Sequence, residues 1–267
     1  MASSADERLT GERPIEGHTP DSLLALHDAG YREVIARVGD GVVLDIGCGV
    51  GAETIRLGGP DRFVVGVDYH PATAIAAQRE WGPQGLRFAG MDGGRLAVRD
   101  HSVDHVCSSH IIEHFTAPET HVAEIARTLR PGGAAYVLTP NRTWDFENPF
   151  HVYLFNASEL ESMLRLFFHE VEIVGLDAAE AVKSDFAARR RSGERLLKLD
   201  AFDIRHKLPR SWYIWAYTRA LPVVYRIVAG DQSGGHSGIT ADDFFVSDQI
   251  DDSTPALLAT ARSPRID

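Results

Sequence analysis

Between residues 42 and 139, short β-branched runs alternate with amphipathic stretches, a pattern that predicts a parallel sheet with crossover helices. The runs are VVLDI (42–46), FVVGV (63–67), LRFAG (86–90), VDHVCSS (103–109) and AAYVLT (134–139). Apolar residues stand side by side in them, as at Val64, Val65 and Val67, so these strands are expected to be covered on both faces. Upstream, Leu24, Tyr31, Val34, Ile35 and Val38 follow helical spacing and define an N-terminal amphipathic helix. Pro118 fits a first helical turn, with Val122, Ile125, Ala126 and Leu129 on one stripe that Pro131-Gly132-Gly133 ends. Asn156 with Glu159 makes a capping pattern ahead of Leu160, Met163, Leu164 and Phe167.

Beyond HEVEIVGL (169–176), a further strand, the regularity breaks. Residues 177–240 are basic, aromatic and poorly periodic, and cluster Trp212, Tyr213, Trp215, Tyr217 and Tyr225. The sheet resumes at DDFFVS (242–247) and ends with ALLATAR (256–262). The expected organisation is an N-terminal tail and helix (1–40), an α/β core (41–176), a mostly helical cap (177–240) and the final strands of the core (241–267). Sheet, helices and insertion all fit within 267 residues.

Composition narrows the setting. Hydrophobic residues at 44% and charged residues at 24% are ordinary for a globular chain, and no apolar run reaches the roughly 20 residues of a bilayer span. The polar, mixed-charge N-terminus reads as a tail and not a signal peptide, and two cysteines, Cys48 and Cys107, sit in apolar segments. These features point to a reducing, cytoplasmic setting. A net charge of −11 disfavours a nucleic-acid partner. Basic residues nevertheless gather at 183–210 (Lys183, Arg189, Arg190, Arg191, Arg195, Lys198, Arg205, Lys207, Arg210), either as a solvated helix face or as a peripheral docking surface for an anionic lipid-linked or phosphorylated substrate.

The most informative motif is VVLDIGCGVG, which sets Gly47, Gly49 and Gly51 directly after a buried strand. The chain must turn sharply there, and a ligand must approach backbone with no Cβ in the way. The spacing is G-x-G-x-G, unlike the G-x-G-x-x-G that seats a pyrophosphate, and an acid, Asp45, precedes it. That carboxylate suits a ligand bearing an ammonium group, such as S-adenosylmethionine. Asp68 closes the next strand, where a carboxylate reads a ribose diol. Asp92 follows the third strand, placed to accept from an adenine amino group with Met91 beside the ring. Tyr69 and Ser109, at neighbouring strand ends, complete the candidate cofactor set.

With these motifs the sequence resembles class I S-adenosylmethionine-dependent methyltransferases over residues 42–139, through VLDIGCGVG, VVGVD, the IIEHF segment and LRPGGAAYVLTPN. The resemblance implies an α/β, Rossmann-like, seven-stranded and mostly parallel sheet with helices on both faces, an antiparallel last strand and the helical insertion before it. Three outer segments are similar to bacterial sugar O-methyltransferases, including mycobacterial polysaccharide enzymes: LTGER (9–13), TPNR with NPFHV (139–142, 148–152), and ITADDF with DQIDDS (239–244, 248–253). They imply a glycan, glycolipid or glycosylated metabolite as acceptor. A small molecule such as a polyketide or quinone is the alternative, and a binding module without catalysis is a more remote one.

Methyl transfer to oxygen needs alignment and a base for the hydroxyl proton, which directs attention to histidines. His110 and His114 follow the fourth strand, at the carboxyl end of the sheet where ligands bind in open α/β folds. His151 lies in NPFHV and His236 in the glycine-rich GGHSG. Each also fits an ordinary loop residue. His110-Ile-Ile-Glu-His114 matches an inverted zinc-protease motif, but that chemistry needs a formed helix, and this segment leaves a strand. Asp242 and Asp243 are candidate ligands for Mg2+, which some related sugar methyltransferases use.

Overall fold

In the computed structural model, residues 19–145, 148, 150–197, 219 and 238–265 are described. The LTGER segment, the aromatic cluster at 212–225, His236 and the basic residues Lys198, Arg205, Lys207 and Arg210 lie outside them. The chain folds as two compact units. One comprises Gly30–Asp145, Val152–Asp177 and Val246–Asp267; the other comprises Met1–Ala29, Phe146–His151 and Ala178–Phe245.

The strands are β1 (Gly41–Ile46), β2 (Arg62–Asp68), β3 (Arg87–Gly90), β4 (Val103–Ser109), β5 (Leu129–Pro140), β6 (Phe168–Ala178), β7 (Phe244–Ser247) and β8 (Ala256–Pro264). They form one sheet in the order β3-β2-β1-β4-β5-β8-β6-β7. The pairs β1–β2, β1–β4, β2–β3 and β4–β5 are parallel, whereas β8 runs antiparallel to both β5 and β6. The sheet therefore has eight strands, at the eight runs read from the sequence, and not the seven that the resemblance implied. The run expected at 242–247 forms β7 as FFVS, after a 3-10 turn at Ala241–Asp243.

The helices are α1 (Asp21–Arg37), α2 (Pro71–Trp81), α3 (Pro118–Thr128), α4 (Ala157–Leu164) and α5 (Glu180–Leu197). Pro118 occupies the first turn of α3, as its fixed φ favours. The helix stops at Thr128, so Leu129 is the first residue of β5, paired with Val103, and not the last of the helical stripe. In α4 the Asn156 side chain accepts from the Glu159 N–H while the Glu159 carboxylate accepts from the Asn156 N–H, a complete capping box.

Successive strand residues face opposite sides, and both sides are covered. On one, Leu44, Ile46, Val106, Ala135, Val137 and Leu257 form a core with Val122 and Ile125 of α3 and Leu160 and Leu164 of α4. On the other, α1 lies close enough that a Cβ at Gly30 would sit 2.5 Å from Leu138, and the Tyr136 hydroxyl donates to the Arg37 carbonyl at 2.7 Å. Among the described residues no helix is long and apolar enough to cross a membrane.

In the smaller unit, α5 begins within the span expected to be an insertion. Its Arg189 is 2.8 Å from Asp185 Oδ2 and lies over the Phe186 ring, so this part of the basic run is engaged internally. Ser22 donates to the same Asp185 carboxylate at 2.7 Å.

Candidate active site

The strand order places the carboxyl ends of β3, β2, β1 and β4 side by side, with the crossover reversing between β1 and β4, the position where open α/β sheets take ligands. The glycine loop leaves β1 there. Gly47 and Cys48 donate to the Val67 carbonyl at 2.7 and 3.0 Å, fixing the loop to the end of β2. Gly47, Gly49 and Gly51 all have positive φ (79°, 54° and 83°), a backbone region glycine enters without strain. Their surroundings differ. A Cβ at Gly51 would meet Trp81 at 2.7 Å and Phe88 at 2.9 Å, whereas one at Gly49 would meet nothing within 4 Å. Gly49 therefore turns its bare Cα to open space, as a ligand cradle requires.

Asp68 is buried at the end of β2. Its Oδ2 accepts from the Gly49 N–H at 3.1 Å and its Oδ1 from the His70 N–H at 2.8 Å. Tyr69 beside it is 72% exposed. Met91, after β3, donates its N–H to the Asp68 carbonyl at 2.9 Å, and exposed Asp92 accepts from the Gly94 N–H at 2.8 Å. The loop and the two acids thus come together on three adjacent strands.

Asp45 is placed differently. It is fully buried, with Thr54 Oγ1 donating at 2.7 Å and the Tyr31 hydroxyl at 3.2 and 3.3 Å. Burial pushes its pKa up to about 6, against hydrogen bonds from Thr54, Cys107 and Tyr31 that favour the carboxylate. Asp45 thus ties β1, α1 and the 3-10 turn at Thr54–Leu57 together beneath the loop. No hydrophobic periodicity encodes that partner set.

At the end of β4, the buried Ser109 Oγ has no hydrogen-bond partner among the described residues. His110 follows at φ +55°, strained for a residue with a Cβ, its N–H held by the Leu138 carbonyl at 2.9 Å. Its Nδ1 is 3.5 Å from Oε1 of Glu113, a fully buried carboxylate whose Oε2 accepts from Thr139 Oγ1 at 3.1 Å. His114 ends the short 3-10 turn Ile112–His114, so the H-x-x-E-H spacing is not carried by an α-helix. The Glu113 carbonyl also accepts from the Val152 and Tyr153 N–H groups, at 2.9 and 3.1 Å.

Two of the outer segments meet. Asn141 of TPNR is buried and donates to the carbonyls of Asp251 and Thr254 at 2.9 and 3.1 Å. In the other unit, His151 Nε2 lies 3.0 Å from Asn148 Nδ2. Asp243 is occupied as a turn cap, accepting from the Thr240 N–H at 2.8 Å, and Asp242 is exposed. Among the described residues neither joins a group of three or more possible metal ligands.

Sequence reasoning did not single out His121. It is fully buried on α3, with Nε2 2.8 Å from Ser108 Oγ, Nδ1 2.9 Å from the Gly93 carbonyl, and its ring stacked on Phe115. A histidine beside Val122 on the apolar stripe was the available signal.

Residues 44–137 match the family model described as a methyltransferase domain. The chain is 34% identical over 171 residues to a probable S-adenosylmethionine-dependent methyltransferase of Mycolicibacterium smegmatis, covering 61% of this chain and 66% of that one. It is 30% identical over 138 residues to a ubiquinone biosynthesis O-methyltransferase of Maricaulis maris, covering 51% and 45%. The chain spans less than two thirds of the length of these curated relatives. In fold it is similar to a possible histamine N-methyltransferase of Thermotoga maritima, with a TM-score of 0.57, 15% identity and 91% of each chain covered. Glycine loop, strand-end acids and sheet order agree with these likenesses, and over residues 44–137 the chain is similar to S-adenosylmethionine-dependent methyltransferases.

Proposed function

We propose that the chain is an O-methyltransferase acting on a sugar hydroxyl of a glycan, glycolipid or glycosylated metabolite. The observation that carries this reading is the polar group at the carboxyl ends of β4 and β5: His110, Glu113 and Thr139. Hydrogen-bonding side chains there suit a polyhydroxyl acceptor, whereas a quinone ring calls for an apolar wall.

When bound, the cofactor supplies a methyl group on a sulfonium, activated for displacement by an oxygen. Gly47, Gly49 and Gly51 would admit it to the backbone, Asp68 would take the ribose hydroxyls, and Asp92 would take the adenine amino group with Met91 and Tyr69 alongside. The open Cα of Gly49 and the unpartnered Ser109 hydroxyl fit such a ligand. Asp45 would act from beneath, holding the loop and lending negative charge toward the ammonium.

His110 takes the proton of the acceptor hydroxyl. Glu113, with Oε1 3.5 Å from Nδ1, orients the imidazole, the carboxylate–histidine relationship that positions a base. His114, on the same turn, is the alternative base.

A second reading, methylation of a phenolic hydroxyl, is favoured by the likeness to the ubiquinone enzyme. A panel of glycans and phenols scored by release of S-adenosylhomocysteine separates the two. Turnover confined to phenols refutes the sugar assignment.

A further inference from the structure

We propose that His121 is a positioning residue that sets adenine selectivity, acting through Gly93 on Asp92; this rests on the reading of Asp92 as the adenine acceptor. The Gly93 carbonyl can only accept, so His121 Nδ1 carries the ring proton and Nε2 accepts from the Ser108 hydroxyl. The hydrogen bonds fix one neutral tautomer, and burial agrees with it by pushing the His121 pKa down to about 4. Stacking on Phe115, with centroids 4.6 Å apart and planes 10° from parallel, removes the remaining freedom of the ring.

What this ring holds is the turn after β3. The turn is fastened by the Met91 N–H on the Asp68 carbonyl, the Gly93 carbonyl on His121, and the Gly94 N–H on the Asp92 carboxylate. The first fastening comes from β2 and the last is internal to the turn. His121 supplies an anchor from α3 one residue from Asp92, and Glu124 of the same helix supplies another beyond the turn, accepting from the Leu96 N–H at 2.6 Å. The seat is close: a Cβ at Gly93 would stand 3.1 Å from Ile46, 3.3 Å from His121 Nδ1 and 3.3 Å from Phe115. A displaced imidazole would therefore displace the Asp92 backbone, and an acceptor that reads an exocyclic amino group depends on its position.

The test compares binding of S-adenosylhomocysteine with that of S-inosylhomocysteine, in which a carbonyl replaces the amino group. Calorimetry on the full chain should show the wild type favouring the adenine form by about tenfold or more, the value of one hydrogen bond to a charged group. His121→Ala should reduce that preference to about twofold. His121→Asn, which returns an N–H near the Nδ1 position, should restore most of it. Should the alanine variant not fold, His121→Gln, whose amide lies near the Nε2 position instead, is expected to lose the preference in its place. Equal weakening of both ligands with the ratio intact would overturn the proposal and leave His121 a packing residue. Asp92→Asn separates the underlying reading. An unchanged ratio there overturns the Asp92 assignment and this inference with it, whereas a collapsed ratio in Asp92→Asn beside an intact one in His121→Ala overturns this inference alone.

Discussion

The Tyr31 hydroxyl of α1 lies 3.2 and 3.3 Å from the two carboxylate oxygens of Asp45, so the N-terminal helix is bonded to the strand that delivers the cofactor loop. The pair is fully enclosed, and burial raises both groups: Asp45 to about 6 from 3.8, and Tyr31 well above its ordinary value.

A pH signature follows. Because the folded-state pKa of Asp45 is raised, the folded state binds its proton more tightly than the unfolded chain does. The resulting stability is fully present below pH 3.8 and is lost as the pH rises through about 6. Asp45→Asn keeps an oxygen acceptor and removes the ionisation. Urea unfolding should therefore show the variant gaining about 2–3 kcal/mol on the wild type between pH 4 and 7.5. A constant difference across that range would contradict the assignment.

Asp68 holds two backbone N–H groups besides its proposed ribose contact. Asp68→Ala should weaken S-adenosylmethionine binding by about 100-fold or more, since charge-assisted hydrogen bonds contribute roughly 1.5–3 kcal/mol each. Calorimetric affinity within threefold of wild type would refute the site.

Gly49 and Gly51 should separate binding from folding. Gly49→Ala meets open space, so it should cost about 1 kcal/mol of backbone strain yet abolish most cofactor affinity. Gly51→Ala forces Trp81 and Phe88 aside and should lower the thermal midpoint by about 5 °C or more. The converse pattern would show that the ligand lies on the Gly51 side.

For the base, His110→Gln is expected to lower kcat about 100-fold or more with little change in KM. Glu113→Gln should reproduce part of that loss, because the imidazole then lacks the carboxylate that orients it. If His114→Gln carries the large effect instead, the base is His114.

Much of this was readable from the chain. Periodicity located β1, β2, β3 and β4 almost residue for residue, because strands buried on both faces are written as apolar runs. The gathering of Gly49, Asp68 and Asp92 was legible because Asp68 closes a strand and the other two follow one, and parallel strands deliver their carboxyl ends to one edge. Leu129 was misassigned to α3 because a buried leucine satisfies a helical stripe and a strand equally well. The run at 242–247 was legible as a strand, but Asp242 and Asp243 belong to a 3-10 turn instead, because Asp243 caps it at Thr240. Asp45 and His121 were opaque in another way. Their roles depend on partners such as Tyr31 and Gly93, which only folding brings within reach.

The position of β8 also bears on how the molecule is made. It lies between β5 and β6, pairing Ala134 with Arg262 and Phe168 with Pro264, although it follows both strands in the chain. Until it arrives, β5 and β6 each present an open edge to solvent, and closing the gap on the β5 side joins positions separated by nearly half the sequence. High contact order of this kind slows folding and prolongs the exposure of sticky edges. A chain in which β8 has not docked would expose both edges to pairing with other chains. A ligand that binds only the folded sheet would favour that closure by mass action.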